Sequence, residues 1–266
     1  MKKTASLFLA LALALSLAQH SPADAAAGGN YTDEMKIPYT VDLSEEDGAD
    51  SVERQGDHAD SPYFSRLDFY NMSSTDTLAI LPKFKTQQQT SEWSCGVSSA
   101  LMVMNYYGLL GENNEQTLSA LRSVGLTSGK GGETPGSTSL LQMIDMFKGV
   151  GGYELTSSFD YEPDQLADAI SLSAIRGYIQ AGTPVMIGWN DWGGHWQVVI
   201  GYDTMGTETE QDDVLIVADP YDTTDHNQDG YGVYPAERFY YNFTFYNFFN
   251  DEDGNDMRFL VAKPAA

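Results

Sequence analysis

Near residue 183 the hydrophobic period of this chain changes, and that change excludes most architectures. Before it, apolar residues recur every three to four positions: Val97, Leu101, Met104 and Tyr107, then Leu140, Leu141, Ile144 and Phe147, then Leu166, Ile170, Ile175 and Ile179. Such spacing lays one apolar stripe along a helix. The stripes predict a helix stopped by Gly108, a second from an N-cap near Ser137 to Gly149, and a third from Asp164 to Gln180. After the change come TPVMIGW (183–189), HWQVVIGY (195–202), DVLIVADP (213–220) and MRFLVAKP (257–264). These short β-branched or aromatic runs, bounded by turn residues, read as strands. Helices first and strands later is the order of an α+β domain, not of alternating βαβ units.

The N-terminus has a different character. Lys2 and Lys3 precede an apolar run from Leu7 to Ala18, and Ala23 and Ala25 fit a cleavage site, so residues 1–25 read as a signal peptide. The expected location is secreted or periplasmic. The apolar run is short for a membrane span, so no stable insertion is expected after cleavage. Residues 26–77 are acidic, with few large apolar side chains over 26–60, and read as a poorly ordered segment or a propeptide. Tyr63, Phe64, Leu67, Phe69 and Tyr70 are the side chains there able to dock on a domain. The packed domain is expected over 78–266. A formal net charge of −24 denies the chain the basic surface that nucleic acid or an anionic membrane requires.

The one cysteine, Cys95, cannot form an internal disulfide. It stands at the start of the first helical stripe, where the helix dipole and unpaired N–H groups favour a thiolate. Gly96 beside it leaves room for another backbone or a substrate. A thiolate nucleophile needs an imidazole. Of four histidines, His20 falls in the signal region, His58 in the acidic leader and His226 in a polar loop, which leaves His195 at the head of a strand. Gly193 and Gly194 precede it. An acid to orient the ring is offered by Asp219, which ends an apolar strand before Pro220, with Asp203 and Asp222 in flanking turns as alternatives.

In order, Q-T-S-E-W-S-C-G with a helix ending NYYG, then GHWQVVIGYD, then a strand closing ADP resemble the papain-like cysteine peptidases over roughly residues 78–262. The resemblance is to secreted, stand-alone relatives of the peptidases that remove double-glycine leaders from bacteriocins, without transporter domains. It implies a helical half carrying the Cys and an antiparallel sheet carrying the His and Asp. It assigns Cys95 as nucleophile, His195 as general base, Asp219 as imidazole orienter and Gln89, six positions before the Cys, as oxyanion donor. The implied function is hydrolysis of peptide or amide bonds in a peptide or protein substrate, with no cofactor required. An inert binding protein on the same fold and an acyl transferase using the same thioester are the alternatives. Trp93, Trp192 and Trp196 flank the motifs as candidate cleft walls.

One further motif stands apart. Asp225, Asn227, Asp229 and Gly230 reproduce the D-x-N-x-D-G start of a calcium loop, although position twelve is Ala236 and Glu237 falls one residue later. Pro235 is expected to start a short helix there.

Overall fold

A computed structural model describes residues 33–43, 48–49, 62–65, 67–122, 137–191, 194–223, 227–245 and 257–266. The proposed signal peptide, His20, His58 and His226 lie outside them.

The helical half holds α1 (Cys95–Tyr106), α2 (Glu115–Ser119), α3 (Leu140–Val150), α4 (Leu166–Ala169) and α5 (Leu172–Gln180). The first ten residues of α1 are all buried, because α2 and α3 cover the faces that do not meet the sheet. A helix enclosed in this way has no solvent stripe to display. In α3, Ser139 and Gln142 form a reciprocal capping box, and Gly151 at φ 79° takes the left-handed turn that ends the helix. The single helix expected over Asp164–Gln180 is two. Ser171 adopts extended angles and its hydroxyl accepts from Ala174 N–H, capping α5, while Ile170 closes α4. The buried stripe survives the break, with Leu166, Ile170, Ile175 and Ile179 all in the core.

Among the described residues seven strands form one antiparallel sheet: β1 (Leu78–Ile80), β2 (Tyr153–Ser157), β3 (Val185–Trp189), β4 (His195–Asp203), β5 (Val214–Ala218), β6 (Tyr231–Pro235) and β7 (Arg258–Pro264). Their spatial order is β2-β7-β3-β4-β5-β6, and β1 pairs with the end of β4 that β3 does not reach. A further helix, α6 (Ala236–Phe245), follows Pro235 directly. The mixed helical and antiparallel architecture agrees with the expected α+β class. Contacts of α1 and α5 with β4, and of α3 with β7, close the core. Among the described residues no helix is long and apolar enough to cross a membrane.

Part of the acidic N-terminal stretch lies against this body. Lys36 forms a parallel bridge with Thr86, with Ile37 N–H donating to Thr86 O and Thr86 N–H to Met35 O, both at 3.0 Å. Further on, Leu43 N–H donates to Thr90 Oγ1 at 3.0 Å and Ala49 N–H to Gln89 O at 2.9 Å. Lys36 Nζ also reaches Asp229 O at 2.6 Å. Met35, Ile37, Ala49, Phe69 and Tyr70 of this stretch are buried, whereas Tyr63, Phe64 and Leu67, also offered as docking side chains, are exposed.

Candidate active site

Cys95 is the first residue of α1, and its side chain is buried. Ser94 occupies the N-cap without a side-chain capping bond, so no capping side chain consumes the first-turn N–H groups. The N–H groups of Gly96 and Trp196 are directed to the sulfur. The space beside Gly96 is taken by the protein itself: a Cβ there would stand 2.8 Å from Thr138 Cβ and 3.0 Å from Met143 Sδ. Its missing side chain lets residues 137–139 pack on the helix, and no room for a second backbone remains at that point.

His195 opens β4, opposite Trp189 of β3. The β4–β5 register pairs Val198 with Ala218, and continuing it one step sets Gln197 opposite Asp219. Because side chains alternate along a strand, Gln197 lies on the same side of β4 as His195. Both reach the same carboxylate: His195 Nε2 is 2.7 Å from Asp219 Oδ1, and Gln197 Nε2 donates to Asp219 Oδ2 at 2.7 Å. Tyr221 N–H adds a bond to Oδ1 at 2.7 Å. With Nε2 engaged by Asp219, the other ring nitrogen remains for the hydrogen bond that joins His195 to Cys95. Asp203 instead accepts from Met205 N–H, and Asp222 from Gly230 N–H. Of the three acids considered, Asp219 is the one that meets the imidazole.

Burial by itself pushes the Cys95 thiol up, but the bond and charge of His195 and the two backbone N–H groups outweigh it, and the thiol is lowered. Burial pulls the His195 imidazole down, yet the charge and hydrogen bond of Asp219, with Cys95, carry it up to about 10. Asp219 is raised by burial and lowered further by His195, Tyr221 N–H and Gln197, for a net fall. All three shifts favour the charged form of each group at neutral pH. The site thus accommodates a thiolate, an imidazolium and a carboxylate in line.

Gln197 is the residue that sequence reasoning passed over. It is buried, and its Oε1 accepts from Trp189 Nε1 at 2.7 Å while its Nε2 also approaches Tyr234 Oη at 3.1 Å. A glutamine inside an apolar strand, two residues from the candidate histidine, was the available signal. Gln89 lies beside the thiol-bearing segment and is buried, with its Nε2 donating to Ser91 O at 2.7 Å and Glu92 O at 3.2 Å. Its backbone N–H donates to Pro220 O at 2.8 Å, which ties it to the turn after Asp219. Trp196 is packing, since it is buried and its Nε1 donates to Thr138 O. Trp93 is half-buried under the Arg122 guanidinium, 4.7 Å from its ring centroid. Trp192 and Gly193 lie outside the described residues. Gly194 takes φ 123° and its N–H donates to Asp191 O, closing the turn into β4.

In the acidic loop, Asp225 lies outside the described residues. Asp229 Oδ1 accepts from Tyr231 N–H at 2.9 Å, and Asn227 Nδ2 approaches Ser65 O at 3.5 Å. Among the described residues no group of three His, Cys, Asp or Glu side chains could hold a metal ion.

Helix-borne thiol, strand-borne imidazole and following carboxylate are the working parts of a cysteine-peptidase type of site. The model of the Peptidase_C39 like family matches residues 81–248, more than half of the chain, and the protein belongs to that family as a papain-like cysteine peptidase relative. No curated protein matches the chain.

Proposed function

We propose that this protein is an exported thiol hydrolase of peptide or amide bonds, with its catalytic domain over residues 78–266 on a papain-like arrangement and residues 1–25 as its signal peptide. The observation that carries the reading is the hydrogen-bonded line from Cys95 through His195 to Asp219. The Cys95 thiolate attacks the substrate carbonyl, forming an S–C bond as the π pair moves to oxygen. The Cys95 N–H and the Gln89 carboxamide stabilise that oxyanion. His195 then gives its proton to the leaving amine as the C–N bond breaks, which leaves a thioester. Neutral His195 next takes a proton from water, whose oxygen displaces the sulfur and releases the acid. Asp219 holds the ring in the required tautomer throughout.

One observation favours an inert binding protein instead: both amide hydrogens of Gln89 are directed at carbonyls of its own loop. Catalysis requires the longer bond, to Glu92 O, to be exchanged for the oxyanion. Cleavage-site profiling with wild type and Cys95→Ala, alongside iodoacetamide labelling at pH 6, decides between them. Labelling and cleavage that both vanish in Cys95→Ala support the hydrolase. A thiol that labels while no bond is cut supports the binder.

A further inference from the structure

Glu115, the first residue of α2, is almost fully buried, at 1% exposure. Its Oε1 accepts from Thr90 N–H at 3.1 Å, Ser94 Oγ at 2.7 Å and Ser98 Oγ at 2.9 Å. Its Oε2 accepts from Thr90 Oγ1 at 2.6 Å. All four donors belong to the stretch that holds the proposed machinery. Thr90 follows Gln89, Ser94 precedes Cys95, and Ser98 lies in the first turn of α1. Among the described residues no cation is a bonded partner of this carboxylate.

Burying an ionised carboxylate is costly, and an apolar side chain of similar volume would fill such a space at lower cost. What the carboxylate adds is geometry. Charge-assisted bonds are shorter and stronger than neutral ones, and here they converge on one rigid point. They tie the arm that carries Gln89 to the turn that carries Cys95, and those two places supply the two oxyanion donors proposed above.

We infer that Glu115 is a positioning residue that sets the oxyanion donors in register with the thiol, an inference that rests on the hydrolase reading. It touches no reacting atom and leaves thiolate formation to His195. The consequence is a split between two reactions of Cys95. Displacement of iodide from iodoacetamide forms an S–C bond and develops no oxyanion. Addition to N-acetylglycinal forms an S–C bond while the aldehyde π pair moves to oxygen, which takes a proton from His195 to give a hemithioacetal. Only the second reaction uses the donors that Glu115 holds.

The test compares wild type, Glu115→Gln and Ser98→Ala, each checked for folding by circular dichroism and thermal unfolding. Misplacement by about 1 Å costs as much as 10²-fold, and a partial loosening in Glu115→Gln should weaken N-acetylglycinal binding by about 10-fold. Its alkylation rate should stay within about threefold of wild type, because loss of one oxyanion contact leaves the thiolate intact. On an amide substrate, kcat should fall with KM held. Ser98→Ala should show the same split, smaller, and carries the test if Glu115→Gln does not fold. Unchanged aldehyde affinity in the folded variant, or alkylation that falls in parallel, overturns the inference. A wild type that binds the aldehyde, with the split present, but hydrolyses no peptide would sink the hydrolase reading and leave the role of Glu115 standing. A wild type that takes up no aldehyde overturns both.

Discussion

Replacing Gly96 by alanine sets two effects of known size against each other. An alanine in place of glycine within a helix gains up to about 1 kcal/mol, and less near a terminus. Against that, the new Cβ would lie 2.8 Å from Thr138 Cβ, 3.0 Å from Met143 Sδ and 3.2 Å from Thr138 Cγ2. Met143 can swing away, since a thioether side chain is flexible. Thr138 is anchored twice, its hydroxyl accepting from Arg122 Nη1 at 3.0 Å and its carbonyl from Trp196 Nε1 at 2.7 Å. Overpacking of this kind costs about 1–3 kcal/mol. The net expectation is a loss of about 1–2 kcal/mol, which for a chain of this size lowers Tm by about 2–8 °C. Gly177, inside α5 with nothing within 4 Å of its ideal Cβ, is the matched control. There alanine gains helix propensity without a clash, and Tm should rise by about 1–4 °C. Thermal unfolding of the two single variants, followed by circular dichroism, reads both signs at once. If Gly96→Ala also raises Tm, the close packing of Thr138 on α1 is not the reason for glycine at that position.

Three further expectations concern the site. Asp219→Ala should fold yet lose about 10⁴-fold in amide turnover, the scale seen when the acid behind a catalytic imidazole is removed, while Asp203→Ala retains activity. Equal losses in steady-state assays of the two variants would remove Asp219 from its role. Because His195 is raised to about 10, its imidazolium is lost only as pH climbs through that range, so kcat/KM should hold far into the alkaline side. On the acid side the lowered thiol keeps the plateau open, and Asp219→Ala should bring the alkaline limb to lower pH, as read from a kcat/KM–pH profile. A limb that stays in place would mean that Asp219 does not set the charge of the ring. Gln89→Ala should cut amide turnover by about 10²–10³ with alkylation of Cys95 retained, and undiminished turnover would show that its carboxamide never leaves Ser91 and Glu92.

What could be read from residues alone followed the strength of the local pattern. Val97, Leu101 and Met104 mark α1 well because they repeat at helical spacing, and the 195–202 run marks β4 because it is buried on both faces. The break at Ser171 was hidden because Ile170 and Ile175 remain core positions on either side of it. Edge strands carried little signal: β2 is half-exposed along Tyr153–Leu155, and β6 contains both Gly232 and Pro235. Cys95, His195 and Asp219 were accessible because each had a local marker: a helix start, a strand head and a strand end before proline. Glu115 had none. Its meaning depends on three hydroxyl-bearing residues of another segment, and pairing of that kind is a property of the folded chain. The docking of Met35, Ile37 and Ala49 was obscured for a related reason, since composition averages over a stretch and docking uses only a few side chains of it.

The bridge between Lys36 and Thr86 has a kinetic consequence. Lys36 Nζ and the carbonyl of Asp229 are 193 positions apart in sequence, and Thr86 Oγ1 reaches the same carbonyl from 143 positions away. Contacts that close loops of such length come late, because chain entropy is surrendered before they return anything. The arm carrying Gln89 runs between these two distant partners, so it is ordered only when the first and last thirds of the chain have met. The helix that bears Cys95 is local and can form early. During folding the thiol should therefore exist for a time without the proposed oxyanion donors aligned, and time-resolved alkylation and aldehyde uptake during refolding would separate the two events. On the proposed hydrolase reading, a chain built this way would acquire chemical competence at the end of its folding, after the surfaces it could otherwise cut in itself are already packed.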